Sequence, residues 1–126
     1  VLKGGYGCIP TERDRLTGKV KLEEKPLPVK GEDVIIFDDI ISSGGTISQA
    51  VKLVNSQGAR RVCAACVHPL FSGETLERLS KNGAEVVVAT DTVPSPVSLV
   101  SVAPIIAQAL KKSSTVKTET APLRAR

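Results

Sequence analysis

The feature that most constrains the fold is a set of three short apolar runs, each separated from the next by a stretch with helical periodicity. The runs cover residues 34–37, 62–67 and 86–90. Continuous apolar runs of this length are typical of strands that are buried on both faces. Strands that alternate with helices predict an α/β fold, in which a right-handed parallel sheet is flanked by helices.

The segments between these runs carry helix signals. The first predicted helix covers about 46–57, and four of its apolar residues share one face: Ile47, Ala50, Val51 and Val54. Ser72 can cap a second helix that ends near Asn82, with Leu76 and Leu79 facing inward. Gly58 and Gly83 each stand where a helix is expected to stop. Pro104 opens a last helix to about Lys112, after a short fourth strand over 97–102.

The chain divides into three predicted regions. Residues 1–32 are rich in glycine and proline and predict a flexible loop with a short ribbon over 19–23, and residues 33–112 form the α/β domain. Residues 113–126 are predicted to be a disordered basic tail. The formal net charge of +4 is carried by the segment 111–126, which has five basic residues and one acidic residue. The rest of the chain is therefore balanced.

Composition excludes several classes of function. The charge is confined to one end and aromatic residues make up only 2% of the chain, so a nucleic-acid surface is not expected. No apolar run is long enough for a membrane span, and the start shows no signal peptide. Three cysteines do not make a disulfide framework, and they favour a cytoplasmic location. Because the chain begins at Val1 rather than Met, we expect either a fragment or a truncated numbering.

The stretch 34–46 carries the chemistry. A predicted strand delivers Asp38 and Asp39 to the carboxyl edge of the sheet, where open α/β sheets bind ligands. A turn with hydroxyls and glycines then leads into a helix: Ser42, Ser43, Gly44, Gly45 and Thr46. Backbone N–H groups, hydroxyls and the helix N-terminus favour a phosphate, whereas the carboxylates accept hydrogen bonds from a sugar diol. Ribose 5-phosphate satisfies both halves.

Other phosphate-binding patterns do not fit this stretch. No Gly-Lys-Ser/Thr is present, which excludes a Walker loop, and G-x-G-x-x-G is absent as well. The simpler alternative is a plain connector between a strand and a helix, with two solvated acids.

The run Asp-Asp-Ile-Ile-Ser-Ser-Gly-Gly-Thr over 38–46 resembles the ribose-phosphate loop of type I phosphoribosyltransferases and PRPP synthetases. Three further segments resemble PRPP synthetases in particular: Val-His-Pro-Leu-Phe-Ser-Gly over 67–73, Ala-Thr-Asp-Thr-Val-Pro over 89–94, and Ser-Val-Ala-Pro-Ile-Ile-Ala over 101–107. The resemblance runs from about residue 12 to residue 112. It implies a type I phosphoribosyltransferase-like fold, of which this chain is the C-terminal half of the enzyme.

The implied reaction is the transfer of pyrophosphate from ATP to ribose 5-phosphate, with Mg²⁺ held mostly by an N-terminal half that lies outside this sequence. The implied assembly is a homo-oligomer of the complete enzyme, including the N-terminal half. No residue of this chain is singled out as a metal ligand. The family pairs a lysine with an arginine on a mobile loop. Arg13 matches the arginine, Thr11 stands at the lysine position, and Arg15 could substitute for it. Alone, the chain is expected to bind the sugar phosphate weakly and to catalyse nothing.

Two alternatives stay open. Another phosphoribosyltransferase would need a nucleobase-binding hood, and the segment 71–73 argues against it. A PRPP synthetase-like regulatory subunit without turnover is kept open by Thr11.

Five other residues carry weaker signals. Cys63 and Cys66 are three apart on a strand, so their sulfurs should diverge and serve as core thiols. His68, the one histidine, is expected in a structural role in a loop, near a subunit contact or anion site by resemblance. Asp91 and Thr92 follow a strand, and they either contact the sugar phosphate or shape the turn.

Overall fold

The structure, a computed structural model, describes residues 4–13, 20–23 and 25–114 of the chain. An antiparallel ribbon of β1 (Thr11–Arg13) and β2 (Val20–Leu22) comes first. The main sheet contains β3 (Asp33–Ile41), β4 (Arg61–Pro69), β5 (Val86–Thr90) and β6 (Ser98–Val100). The helices are α1 (Gly45–Ser56), α2 (Gly73–Lys81) and α3 (Ala103–Ser114). Every predicted element is present within a few residues of its expected bounds, and α3 extends two residues into the predicted tail.

The main sheet has the order β3-β4-β5-β6, and every neighbouring pair is parallel. The prediction of a parallel α/β sheet is therefore confirmed. Helices α1 and α2 follow successive strands and contact each other, so they lie on the same face of the sheet. The carboxyl ends of the strands form one edge, where the loops β3–α1, β4–α2 and β5–β6 meet.

The core lies between this sheet and its two helices. The predicted inner face of α1 is buried as expected, with Val51 fully excluded from solvent, and Leu79 of α2 is also 0% exposed. They pack with strand residues of the covered face, among them Ile41, Val62 and Cys66. Gly58 and Gly83 adopt φ values of 87° and 98°, so both predicted helix stops use left-handed glycines.

The opposite face of the sheet is uncovered within the described residues. The run 34–37 was predicted to be buried on both faces, and this is wrong for the described part of the chain. Ile35 is half exposed and Phe37 is 65% exposed, while their neighbours Val34 and Ile36 pack against the core. Helix α3 is exposed along 103–113, and its apolar residue Ile105 is 67% exposed. Alternation along the strand therefore separates a packed face from an open one.

None of the helices within residues 4–13, 20–23 and 25–114 is long and apolar enough to cross a membrane.

Candidate functional site: the loop between β3 and α1

The paired acids lie within the last part of β3, not after it as the sequence predicted. The strand continues to Ile41, and Asp38 pairs in register with Cys66 of β4. The Asp38 carboxylate accepts a hydrogen bond of 3.0 Å from the Asp39 N–H, and the Asp39 carboxylate accepts one of 2.8 Å from the Ile40 N–H. The backbone thus holds both carboxyl groups at the carboxyl edge of the sheet.

The environment raises the pKa of Asp38. Burial is the largest cause, followed by the neighbouring carboxyl of Asp39, and the hydrogen bond from the Asp39 N–H offsets only part of this. The charged form of Asp38 is therefore held at some cost, with lone pairs available for a donor. Asp39 is exposed beside it, so the two acids form a half-buried acceptor pair.

The turn that follows depends on one left-handed glycine. Gly44 is buried at φ 70° and ψ 10° and occupies the N-cap of α1, and no side chain caps the helix. Gly45 starts α1 in helical conformation, so only Gly44 uses the conformational freedom that the sequence suggested for both glycines. Ser42 and Ser43 are exposed, and Thr46 is half-buried.

The N-terminus of α1 is electrostatically open. The first hydrogen bond of the helix runs from the Ser48 N–H to the Gly44 carbonyl oxygen at 3.0 Å. The preceding N–H groups, those of residues 45–47, have no partner within the helix, as at any helix start. No acidic side chain lies in the first turn to compensate the positive end of the dipole. The geometry suits an oxyanion whose charge meets amides and nearby hydroxyls.

Helix α2 packs against the turn, and the sequence did not predict this contact. An ideal Cβ placed on Gly44 would come within 2.5 Å of Thr75 Cγ2 and 3.1 Å of the Arg78 guanidinium. The Arg78 guanidinium also donates a hydrogen bond to the carbonyl oxygen of Ser43. The one sequence signal was the spacing of Thr75 and Arg78, three residues apart on one helix face.

A second cluster links the ends of β4 and β5. His68 lies at the end of β4, not in a loop as predicted, and pairs in register with Ile40. Its Nδ1 is 2.9 Å from Thr92 Oγ1, and the hydroxyls of Thr90 and Thr92 donate to the Val67 carbonyl oxygen at 2.7 and 2.8 Å. This network ties the two strand ends together beside the acid pair.

Asp91 shapes a turn. Its carboxylate accepts hydrogen bonds from the Ser101 side chain and, at 2.9 Å, from the Val102 N–H, and these bonds lower the pKa of Asp91. Of the two roles left open from the sequence, the contacts favour the structural one. Ser72 occupies the N-cap position of α2, but it makes no side-chain capping bond.

The thiols behave as core residues. Cys66 is buried, Cys63 is partly buried, both are free, and burial raises the pKa of each thiol. Within the described part of the chain, no group of three or more acidic, histidine or cysteine side chains could hold a metal ion. The backbone of Arg13 lies in β1, and Arg15 lies outside the described residues, as do 115–126 of the predicted tail.

This combination defines a class of protein. A parallel sheet carries two acids at the end of a strand, a left-handed glycine and an uncapped helix start, and a family model described as the phosphoribosyl transferase domain matches residues 12–102. The chain belongs to the phosphoribosyl transferase domain family.

The more specific relatives are ribose-phosphate pyrophosphokinases. The chain is 44% identical over 111 residues to the one from Sulfurisphaera tokodaii, covering 85% of this chain and 38% of the relative. It is 48% identical over 89 residues to the one from Saccharolobus solfataricus, covering 70% and 31%. A crystal structure of phosphoribosylpyrophosphate synthetase from Mycobacterium smegmatis matches with a TM-score of 0.61 at 31% identity, covering 79% of this chain and 35% of that one. The chain thus spans about a third of the length of these proteins, between 31% and 38%.

Proposed function

We propose that this chain is the ribose-phosphate-binding part of a ribose-phosphate diphosphokinase, which transfers pyrophosphate from ATP to ribose 5-phosphate and releases AMP. The proposal is supported by the relatives reported above, two ribose-phosphate pyrophosphokinases and a phosphoribosylpyrophosphate synthetase. Because the chain covers 38% of the Sulfurisphaera tokodaii relative, catalysis belongs to the complete protein.

One observation carries the proposal: a single loop presents two chemically opposite ends. Asp38 and Asp39 supply acceptors, and the α1 start supplies donors with no acidic residue in its first turn. A bare phosphate would be repelled by the acids, and a neutral sugar would leave the amides unused. Ribose 5-phosphate presents hydroxyl donors to the first end and a phosphate to the second.

The loop would contribute by orientation. With the diol on the acids and the 5-phosphate on residues 42–46, the anomeric hydroxyl is fixed toward the incoming nucleotide. Its oxygen loses its proton, which ends on solvent, and attacks the β-phosphorus of ATP. An O–P bond forms while the bond from the β-phosphorus to the α–β bridging oxygen breaks, and AMP leaves with that oxygen. Such transfers rely on positioning and charge neutralisation. Arg13 and Arg15 are the proposed sources of positive charge in the region before residue 33.

Mg²⁺ and ATP enter the proposal through the rest of the enzyme. Among the described residues, Asp38 and Asp39 have no third acidic, histidine or cysteine side chain with which to form a protein cage for a metal. Mg²⁺ commonly uses one or two carboxylates together with substrate phosphates and water, so Asp38 and Asp39 fit that role in part. When bound, the ion would neutralise charge on the phosphates. The resemblance extends the proposal to a cytoplasmic homo-oligomer.

A second candidate is favoured by one residue. Thr11 stands where the family has a lysine and cannot supply its charge, which favours a regulatory or binding subunit without turnover. The complete protein should be incubated with ribose 5-phosphate, ATP and Mg²⁺, and AMP and PRPP measured. AMP that depends on ribose 5-phosphate supports the enzyme. Sugar-phosphate binding without AMP selects the subunit, and PRPP consumption with a nucleobase selects another phosphoribosyltransferase.

The site itself can be tested on the chain alone by following its backbone amides in ¹⁵N–¹H spectra. Ribose 5-phosphate should shift the amides of residues 42–47 more strongly than ribose or inorganic phosphate at equal concentration. Replacing both Asp38 and Asp39 with Asn should weaken ribose 5-phosphate binding but leave inorganic phosphate binding equal or tighter, because repulsion is removed. Equal responses to all three ligands would remove the assignment.

A further inference from the structure

We propose that Arg78 of α2 is a positioning residue for the β3–α1 loop, which orients the peptide between Ser43 and Gly44 and brings a permanent positive charge to its underside. The inference deepens the proposed function and rests on it for the identity of the ligand.

The contact joins two elements that are distant in sequence. The Arg78 guanidinium donates to the Ser43 carbonyl oxygen across 35 positions. Thr75, one turn earlier on the same face of α2, is buried and lies against the position where Gly44 lacks a Cβ. Leu79, the next residue after Arg78, is fully buried in the core and fixes α2 in place. The part of α2 that contacts the loop is therefore held in place by the core.

Fixing the Ser43 carbonyl fixes the amide that follows. In a trans peptide the C=O and N–H bonds point in opposite directions, and the described residues contain no cis peptide. A carbonyl held toward α2 leaves the Gly44 N–H directed away from α2. The positive φ of Gly44 then turns the chain into the first turn of α1, where the free amides begin. Loss of the guanidinium releases the carbonyl, and the amide can rotate with it.

No ion pair within the described residues neutralises the charge of Arg78. Among the ion pairs of the described residues, none involves Arg78, whereas Lys81 on the same helix lies 3.7 Å from Glu77. A guanidinium stays protonated at any physiological pH. The guanidinium of Arg78 therefore places a positive charge against the Ser43 end of the loop when a phosphate enters it. Lysine offers a similar charge but not the planar set of donors that reaches a carbonyl from the side.

The experiment compares Arg78→Ala and Arg78→Lys with the matched control Lys81→Ala, which removes a charge three residues away on α2. Without ligand, Arg78→Ala should shift the Gly44 and Gly45 amide signals and speed their hydrogen exchange. Its Kd for ribose 5-phosphate should rise about 10-fold to 100-fold, the range for a lost charged hydrogen bond. Added guanidinium ion should restore part of the affinity, Arg78→Lys should lie between, and Lys81→Ala should match the parent chain.

The outcomes separate this inference from the proposed function. Binding by the parent chain together with equal affinity in Arg78→Ala overturns the positioning role and leaves the function standing. Weaker binding with unchanged Gly44 and Gly45 amides also overturns it, because the effect would then be one of charge alone. A parent chain that does not bind ribose 5-phosphate refutes the proposed function, while the ligand-free amide signals still decide on Arg78. If Arg78→Ala does not fold, the same comparison is made with Arg78→Lys.

Discussion

The two adjacent glycines of the β3–α1 loop should respond in opposite ways to the same substitution. Gly44→Ala puts a residue with a Cβ at φ 70°, which costs about 1–2 kcal/mol. The new methyl would also lie 2.5 Å from Thr75 Cγ2, closer than carbon atoms tolerate, and overpacking of a buried position costs about 1–3 kcal/mol. Together we expect a loss of about 2–5 kcal/mol in the free energy of unfolding.

Gly45→Ala lacks both penalties. Gly45 is helical, and the nearest heavy atom to an added Cβ is Ser43 Oγ at 3.8 Å, an ordinary contact. The free energy of unfolding should stay the same or rise slightly, since alanine favours a helix by up to about 1 kcal/mol over glycine. The methyl would instead enter the space where we place the phosphate. We therefore expect ribose 5-phosphate affinity to fall at least about 10-fold, by the loss of one amide contact.

Urea unfolding and ribose 5-phosphate titration of both variants test these expectations. The double variant Gly44→Ala with Thr75→Ser separates the two costs, because serine lacks the Cγ2 that the new methyl would meet. Relative to Thr75→Ser alone, Gly44→Ala should then cost little more than the backbone part, about 1–2 kcal/mol. The remaining close contact, 3.1 Å from the Arg78 guanidinium, is to the end of a flexible side chain that need move only slightly. Stability of Gly44→Ala equal to that of the parent would refute the structural reasoning. Full affinity in Gly45→Ala would show that the phosphate does not occupy that side of the turn.

Three further substitutions test the energetics of the region around the loop and of the opposite end of β3. Ser48 is 6% exposed and its hydroxyl has no hydrogen-bond partner among the described residues, so Ser48→Ala should raise the free energy of unfolding by up to about 1 kcal/mol in urea titrations; a marked loss would reveal an unseen partner. The pKa of Asp38 is raised in the fold, so the native state binds the extra proton and its stability rises as pH falls through that pKa; Asp38→Asn should therefore be more stable than the parent at pH 7, with the gain shrinking as pH is lowered. Hydrogen bonds from Arg60 and Arg61 hold the pKa of Asp33 far below its ordinary value. Asp33 therefore contributes to the free energy of unfolding above its unfolded-state pKa, and this contribution is lost as pH falls through its folded-state pKa. Asp33→Asn should be less stable than the parent at pH 7, and a stability deficit that persists at the lowest pH would contradict this sign.

Sequence patterns predicted the elements of the fold because each had a local cause. Local periodicity indicated the apolar face of α1. Local backbone restrictions explain the left-handed helix stops at Gly58 and Gly83 and the proline in the first turn of α3. The half-exposed strand face escaped prediction, since a continuous apolar run such as 34–37 specifies that both faces avoid water but not which segment covers each face. Which segment covers each face is determined by long-range contacts.

The sequence showed which residues make up the loop, but it did not show that its two glycines have different roles. Gly44 and Gly45 are the same residue type in the same motif, and only the position of Thr75 shows that packing requires the first and leaves the second open. Arg78 was missed for a related reason. An exposed arginine on a helix is usually solvated, and its contact with Ser43 arises from the packing of α2 beneath a loop 35 residues away.

Three features that oppose stability fall within eleven residues of one another, which is itself an argument for function. Burial raises the pKa of Asp38, and Gly44 adopts a left-handed conformation that costs other residues about 1–2 kcal/mol. Ser48 buries a hydroxyl that has no hydrogen-bond partner among the described residues. Local departures of this kind persist where an activity needs them. All three lie between the last part of β3 and the first turn of α1, whereas the core between α1, α2 and the sheet is built from well-packed aliphatic residues. If the loop were a plain connector, substitutions that relieve these features would raise stability without loss; if it binds ribose 5-phosphate, Asp38→Asn should gain stability and lose affinity together.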